Sequence, residues 1–293
     1  MLRRAANESS AGDRYPHGGT IVSETGPNRV GALLRRVASR LTPRIRAWRA
    51  RRRPSGSLLR CNGYTVRIND WLNFQVLTKD IFRRRIYHFE AHRTDPVILD
   101  CGANIGMATL YFKRVYPGAR VISFEPDPVI FPLLAENVAR NALTNVQLVQ
   151  AALAREIGSL SFYSDGKYGS CLASTLGTPP APDWTATEVP SARLRQYLGE
   201  EIDFVKMNIE GAEFDVLENS ADRLRMIREM VVEYHHLPGL PRTLHKLLSL
   251  LDSQGFEYLV NDLDHETNPE VEPPFRLTPK SRYFLLIYAK RND

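Results

Sequence analysis

The chain has 293 residues, of which 43% are hydrophobic and 25% charged, an ordinary composition for a globular protein with a buried core. No stretch approaches the roughly 18 consecutive apolar residues of a membrane-spanning helix, which argues against an integral membrane protein. The three cysteines are far apart and lack CxxC spacing, which excludes a disulfide scaffold and a cysteine-rich zinc module. This cysteine usage predicts a reducing, cytoplasmic location.

The net charge of +6 is unevenly distributed along the chain. Residues 1–55 contain 13 arginines and 3 acidic residues, whereas residues 56–293 contain 26 basic and 30 acidic residues. The body of the protein is therefore slightly acidic, which argues against a protein that wraps nucleic acid.

Residues 1–55 are predicted to form a disordered, Arg-rich extension because their composition cannot form a packed core. Within it, residues 29–53 form a short basic amphipathic stretch, for which two interpretations stay open. It contacts a membrane surface or an acidic partner, or it is a solvated leader without a partner. Residues 56–95 are predicted to form a small strand and helices that pack on the main domain, residues 96–293.

From residue 96 onward, short apolar strands alternate with helices, which predicts a parallel sheet with right-handed crossovers. We expect strands at residues 97–99, 121–124, 146–150, 204–209, 230–233 and 257–260, and helices at 105–116, 127–142, 214–223 and 243–253. A hairpin strand at 160–163 and a Pro-rich loop at 177–187 interrupt this alternation of strands and helices. The last strand, at 282–289, follows no adequate helix and should therefore pair antiparallel.

The string Asp-Cys-Gly-Ala-Asn-Ile-Gly at residues 100–106 directly follows the first of these strands. Gly102 permits a tight turn and Gly106 a close backbone approach. Open α/β sheets bind ligands at this carboxyl edge. The glycine spacing fits neither the dinucleotide fingerprint nor a P-loop, so a pyrophosphate ligand is disfavoured.

Glu125 stands at the end of the second predicted strand. A carboxylate in this position can accept hydrogen bonds from both ribose hydroxyls. Together with Asp100, which suits a cationic centre, it indicates a nucleoside ligand without a pyrophosphate. That is the chemistry of S-adenosylmethionine.

A polar turn follows the predicted strand 204–209 and should face the Gly102 turn across the crevice. It contains Asn208 and Glu210. Lys206 lies inside the apolar strand and needs a buried partner, for which Asp203 or Glu210 is expected.

The predicted fifth strand ends in Glu-Tyr-His-His, residues 233–236. A histidine at the carboxyl edge is a candidate general base because its pKa lies near neutrality. We rank His235 first, with His236 and Glu210 as the other candidates. Adjacent side chains point apart in a strand, and no H-x-x-x-H accompanies the pair, so no metal site is predicted.

These segments together resemble the FkbM family of S-adenosylmethionine-dependent methyltransferases over roughly residues 96–236. The matching strings are V-I-L-D-C-G-A-N-I-G at 97–106, F-E-P at 124–126 and F-V-K-M-N-I-E-G-A-E at 204–213. The resemblance implies the class I methyltransferase fold, a Rossmann-like three-layer α/β architecture. Its mostly parallel seven-stranded sheet has the order 3-2-1-4-5-7-6, with the last strand antiparallel.

The resemblance also implies O-methylation of hydroxyls on polyketide-type metabolites or sugars. It places Asp100, Gly102, Asn104 and Gly106 at the methionine end of the cofactor, Glu125 at the ribose, and Ala151 and Ala152 beside the adenine. One departure is Asn208, which stands where the family usually has Asp. It keeps the hydrogen-bonding shape without the charge. Two alternatives are a non-catalytic binding protein on a degenerate methyltransferase fold and an NAD-dependent oxidoreductase, which the missing third glycine disfavours.

Overall fold

The computed structural model describes residues 53–165, 170–172, 184–237, 241–262 and 283–291. The predicted N-terminal extension therefore lies outside the described residues up to residue 52, as does the basic stretch 29–52. No helix in the described part of the chain is both long and apolar enough to cross a membrane.

A small hairpin and a helix precede the main sheet. The hairpin pairs β1 (Leu58–Cys61) with β2 (Tyr64–Arg67). Helix α1 (Trp71–Leu77) begins at Asp70, whose carboxylate accepts the N–H of Asn73 at 2.8 Å. A π-helical turn, Thr78–Arg83, continues α1.

The remaining strands form two sheets. They are β3 (Val97–Cys101), β4 (Arg120–Phe124), β5 (Val146–Val149), β6 (Ala152–Leu153), β7 (Gly158–Ser164), β8 (Ser170–Leu172), β9 (Thr185–Ala192), β10 (Ile202–Met207), β11 (Ile227–His236), β12 (Phe256–Asp262) and β13 (Tyr283–Arg291). The main sheet has the order β12-β13-β11-β10-β3-β4-β5. Only β13 runs antiparallel to its neighbours among these described strands. This order is the predicted 3-2-1-4-5-7-6, and it confirms the fold class.

Helices cover both faces of this sheet. They are α2 (Met107–Val115), α3 (Phe131–Arg140), α4 (Glu213–Asn219) and α5 (Leu244–Ser253), with 3-10 turns at Leu194–Tyr197 and Ala221–Met226. Successive strand residues enter opposite cores, because side chains alternate along a strand. Phe204 packs in the cluster that contains α2 and the hairpin, and Val205 packs in the cluster that contains α4 and α5. The architecture therefore has three layers.

The second sheet has the order β6-β9-β7-β8 and corrects one prediction. The sequence predicts a Pro-rich loop at residues 177–187, but residues 185–187 begin strand β9. This strand is polar and contains Pro190, both of which are unusual for a strand and hid it from pattern analysis. The predicted hairpin strand at 160–163 is part of β7, which pairs antiparallel with β9.

Two other boundaries differ from the prediction for identifiable reasons. Helix α3 begins at Phe131 rather than residue 127, so Pro132 falls in its first turn, where a missing N–H is harmless. Strand β11 is longer than residues 230–233, because β13 pairs with it as far as His236.

Candidate functional site

The turn between β3 and α2 packs tightly against the end of β10. Gly102 has a φ of 82°, and a Cβ built on it would lie 1.8 Å from the carbonyl oxygen of Asn208. The N–H of Asn208 donates to the carbonyl of Cys101 at 2.9 Å. The predicted juxtaposition of these two turns is therefore present. Position 102 therefore requires glycine because it packs against the chain's own backbone, independently of any ligand.

A buried ion pair lies directly beneath this turn. Nζ of Lys206 is 3.3 Å from Oδ1 of Asp100, and both side chains are almost completely buried. Lys206 also donates to the carbonyls of Cys101 and Gly102. Thr109 donates to the other oxygen of Asp100 at 2.7 Å. The pair thus fixes the end of β3 against β10, and the expectation that Asp203 or Glu210 would hold Lys206 was wrong.

Asp203 lies instead at the amino end of β10. Its Oδ2 accepts from Nε of Arg93 at 2.8 Å and from the N–H of Val97 at 2.7 Å. His92 is 3.3 Å from Oδ1 of Asp203 and 3.4 Å from Glu201. These three side chains place possible metal-ligand atoms within 4.8 Å of one another. The cluster is on the edge opposite to the predicted site.

Glu125 connects the end of β4 to the β3–α2 turn. Its carboxylate accepts the N–H groups of Asn104 at 2.8 Å and Asp127 at 2.9 Å. Burial raises the pKa of Glu125 to about 7, although these two bonds act to lower it. A carboxylate has about four acceptor sites, so both oxygens retain capacity for a ribose diol. The position therefore fits the nucleoside part of the cofactor.

The other predicted cofactor residues lie around the same edge. Oδ1 of Asn104 accepts from Ile105 N at 2.9 Å and faces Asn73 of α1 at 3.4 Å. Ala151 and Ala152 follow β5 and are buried. Ala151 lies in the main core, and Ala152 packs in a cluster with Phe162 and Val189.

A buried hydrogen-bonded group that sequence reasoning did not assemble links Tyr87, Glu233 and Asn208. Tyr87 donates to Oε1 of Glu233, and Nδ2 of Asn208 donates to Oε2 at 2.9 Å. Burial and the charge of Glu233 hold the pKa of Tyr87 well above its usual range, so this hydroxyl stays a donor. Tyr87 lies 146 residues before Glu233 in the chain, and no local sequence signal pairs them.

His235 is enclosed by two carboxylates. Its Nδ1 is 3.0 Å from Oε1 of Glu213, and its Nε2 is 3.8 Å from Oε2 of Glu210. Burial acts to lower the pKa of His235, but Glu210 and Glu213 outweigh it and raise this pKa to about 10. His235 is therefore an imidazolium at neutral pH, which makes this first-ranked candidate unsuited to the role of general base. It instead holds Glu210, which has a φ of 55°.

His236 differs from His235 in the direction of its pKa shift. Burial and the nearby charge of Arg242 lower its pKa. Its ring lies 4.8 Å from that of Tyr283, and its buried Nδ1 has no hydrogen-bond partner among the residues that the structure describes. His236 is thus a neutral imidazole at the carboxyl end of β11, and its Nδ1 is unpaired among the described side chains.

The ion pairs of His235 predict a pH dependence of stability. The pKa in the folded state is about 10 and exceeds the unfolded value of about 6.5, so the stabilisation is complete below pH 6.5 and is lost as pH rises through 10. Thermal unfolding from pH 6 to 10 should show this loss in the native protein and a flatter curve in His235→Asn. The exposed His245→Asn is the control, and equal slopes in all three proteins would contradict the assignment.

Comparison with known proteins gives a consistent result. The sequence profile of the Methyltransferase FkbM domain matches residues 100–258. Methyltransferase 1 of Beauveria bassiana is 31% identical over 242 residues, which cover 75% of this chain and 91% of that protein. The 31-O-demethyl-FK506 methyltransferase FkbM of Streptomyces tacrolimicus is 30% identical, covering 67% and 86%. The 2-O-methyltransferase NoeI of Sinorhizobium fredii is 28% identical, covering 48% and 64%.

Proposed function

Because the chain belongs to the FkbM family and is an S-adenosylmethionine-dependent methyltransferase, we propose that it methylates a hydroxyl of a small metabolite or a sugar. The observation that carries this proposal is the pair of neutral, buried acceptor atoms, Oδ1 of Asn208 and Nδ1 of His236. Asn208 stands beside the β3–α2 turn at the end of β10, and His236 stands at the end of the adjacent strand β11. Both atoms suit hydroxyl donors. Two relatives with O-methyltransferase names support it.

The cofactor half of the site lies on β3 and β4. Glu125 is proposed to accept the ribose hydroxyls, and Asp100, Gly102, Asn104 and Gly106 to form the floor at the methionine end, with Ala151 and Ala152 near the adenine. Among the described residues, the buried or half-buried acidic side chains at this edge outnumber the buried cations Lys206 and His235. The acidic side chains include Asp100, Glu125, Asp127, Glu210, Glu213 and Glu233. The excess of negative charge favours a sulfonium ligand.

Bound S-adenosylmethionine supplies an activated methyl group. The chain's own residues then have two tasks, which are to align the acceptor oxygen and to receive its proton. Nδ1 of His236 is proposed as the proton acceptor, because this imidazole is neutral and its nitrogen is unpaired among the described side chains. Glu210 remains next to His235 and serves as its counter-ion.

A direct test uses the full-length protein with tritiated S-adenosylmethionine and a panel of alcohols, methyl glycosides and amines. Transfer to hydroxyls and not to amines would support the proposal. Transfer confined to amines would contradict it. Calorimetry with S-adenosylmethionine and NAD provides the cofactor control, and only the first should bind.

The ribose assignment predicts that Glu125→Ala weakens S-adenosylmethionine binding by about 1.5–3 kcal/mol, the contribution of charged hydrogen bonds. In the native protein, affinity should rise from pH 6 to 8, because ionised Glu125 is the stronger acceptor and its pKa is about 7. This dependence should disappear in Glu125→Gln. The matched control is Glu136→Gln, which removes a half-exposed carboxylate from α3. A folded Glu125→Ala protein with native affinity would disprove the ribose role.

A further inference from the structure

A histidine and two carboxylates meet at the amino edge of the main sheet, opposite to the proposed cofactor edge. His92 precedes β3, Glu201 directly precedes β10, and Asp203 lies near the start of β10. One metal-ligand atom from each of these side chains lies within 4.8 Å of the other two. The cluster therefore joins two segments that are far apart in the chain.

One oxygen of Asp203 is buried without a hydrogen bond. The side chain is 1% exposed, and its Oδ1 has no hydrogen-bond partner within the described ranges. Native proteins pair nearly all buried polar atoms, so an unpaired carboxylate oxygen indicates a missing ligand. Nδ1 of His92 lies 3.3 Å from this oxygen but does not form a hydrogen bond with it. The oxygen thus needs a partner that the described part of the chain does not supply.

Each carboxylate of the cluster has one oxygen beside an arginine and the other turned toward His92. Arg93 donates to Oδ2 of Asp203 at 2.8 Å, whereas Oδ1 faces the imidazole. The guanidinium of Arg228 is 3.7 Å from Oε2 of Glu201, whereas Oε1 lies 3.4 Å from Nε2 of His92. Outer groups that orient the ligands in this way are typical of metal sites. They leave one oxygen of each carboxylate available to an ion.

The separation of the ligand atoms suits a small divalent cation. Two atoms that bind one tetrahedral Zn²⁺ ion at about 2.0–2.1 Å lie about 3.3 Å apart. Oδ1 of Asp203 and Nδ1 of His92 have this separation. Ligands of one ion point to that ion rather than to each other, which explains why so short a distance lacks a hydrogen bond. Glu201 is exposed, so its carboxylate can turn from Nε2 toward the ion.

The chemistry of the donor set favours Zn²⁺ over harder cations. Mg²⁺ and Ca²⁺ prefer oxygen ligands alone, whereas this cluster combines an imidazole nitrogen with two carboxylates. Zn²⁺ accepts both kinds of ligand and, with three protein ligands, keeps a water molecule in the fourth position. A cavity of about 140 Å³, lined in part by His92 and Asp203, has room for that water.

We propose that His92, Glu201 and Asp203 bind one Zn²⁺ ion in a structural role. The ion links the segment before β3 to the start of β10 at the amino edge of the sheet. This site goes beyond the proposed methyl transfer, because the proposed cofactor residues lie at the carboxyl ends of the strands. Zinc should therefore stabilise the fold and leave the affinity for S-adenosylmethionine unchanged.

Calorimetry and thermal unfolding of the full-length protein with zinc chloride test this site. The metal-free native protein should bind Zn²⁺ with micromolar affinity and melt at a higher temperature in its presence, whereas Mg²⁺ should have no such effect. His92→Ala and Glu201→Gln should each weaken Zn²⁺ binding by about tenfold or more. Both side chains are exposed, so the variants should keep the native fold. The matched control is His245→Ala, which removes an exposed histidine from α5.

Cobalt provides a spectroscopic test of the same geometry. Tetrahedral Co²⁺ absorbs visible light far more strongly than the octahedral aqua ion. Intense visible bands should therefore appear when Co²⁺ is added to the native protein or to His245→Ala. They should be absent from His92→Ala.

Three outcomes would overturn the zinc site. Equal Zn²⁺ affinity in the native protein and both folded variants would mean that zinc binds elsewhere. Lack of any effect of Zn²⁺ on the native protein would mean that His92 forms only ion pairs with the two carboxylates. An affinity for S-adenosylmethionine that depends on Zn²⁺ would contradict the structural role. Each of these results leaves the proposed hydroxyl methylation intact.

Discussion

Gly102→Ala is expected to abolish measurable binding of S-adenosylmethionine and to lower the melting temperature. The added Cβ would lie 1.8 Å from the carbonyl oxygen of Asn208 and 2.9 Å from its carbonyl carbon. Both are backbone atoms that cannot rotate away, so the β3–α2 turn must separate from the end of β10. That separation displaces Asn104 from Glu125 and disrupts the proposed ribose and methionine contacts together.

A matched substitution isolates the cause of this effect. Gly255 has a similar φ of 79°, but a Cβ built on it meets nothing within 4 Å. Gly255→Ala therefore carries only the cost of the left-handed backbone, about 1 kcal/mol, and should bind cofactor normally. Calorimetry and thermal unfolding of both variants make the comparison. Near-native affinity in Gly102→Ala would show that this turn tolerates displacement and is not the cofactor floor.

His236→Ala is expected to lower kcat by about 100-fold or more, with little change in cofactor affinity. A general base must be unprotonated to act, and the pKa of His236 lies below the ordinary value near 6.5. The native rate should therefore be level from about pH 7 to 8 and fall only at more acidic pH. The rate of the variant should not show this fall at acidic pH.

The neighbouring histidine provides the contrast. His235→Ala removes the imidazolium between Glu210 and Glu213, so its main effects should be on stability and on cofactor binding. The exposed His245→Ala controls for loss of a histidine elsewhere. A native rate that is level from pH 5.5 to 8, with near-native kcat in His236→Ala, would remove His236 from proton transfer.

The fold was predictable because its signals are local. Short apolar strands separated by helices specify a parallel sheet, and the lack of a helical sequence pattern before residue 283 predicted the antiparallel strand. Strand β9 was missed because its stability comes from pairing with β7 rather than from its own composition. Propensity is a weak guide where a strand is polar and contains proline.

The site was predictable only in part, for a related reason. Asp100, Glu125 and Asn208 could be placed at the sheet edge because each follows a strand. Their partners depend on register between strands, which no local pattern encodes. Lys206 lies level with Asp100 in the pairing of β10 with β3, and that alignment decided which carboxylate it binds. The charge of His235 likewise depends on Glu213, which lies on a different element.

The position of β13 in the sheet affects the order in which parts of the fold can assemble during synthesis. Residues 283–291 insert between β11 and β12, both of which leave the ribosome earlier. The histidine-bearing end of β11 gains its neighbours only then, since Phe284 lies beside His235 and Tyr283 beside His236. A nascent chain halted before residue 283 could already assemble the β3, β4 and β10 edge. The proposed proton-accepting end of β11 would still lack β13, so we expect methyl transfer only after this late strand has docked.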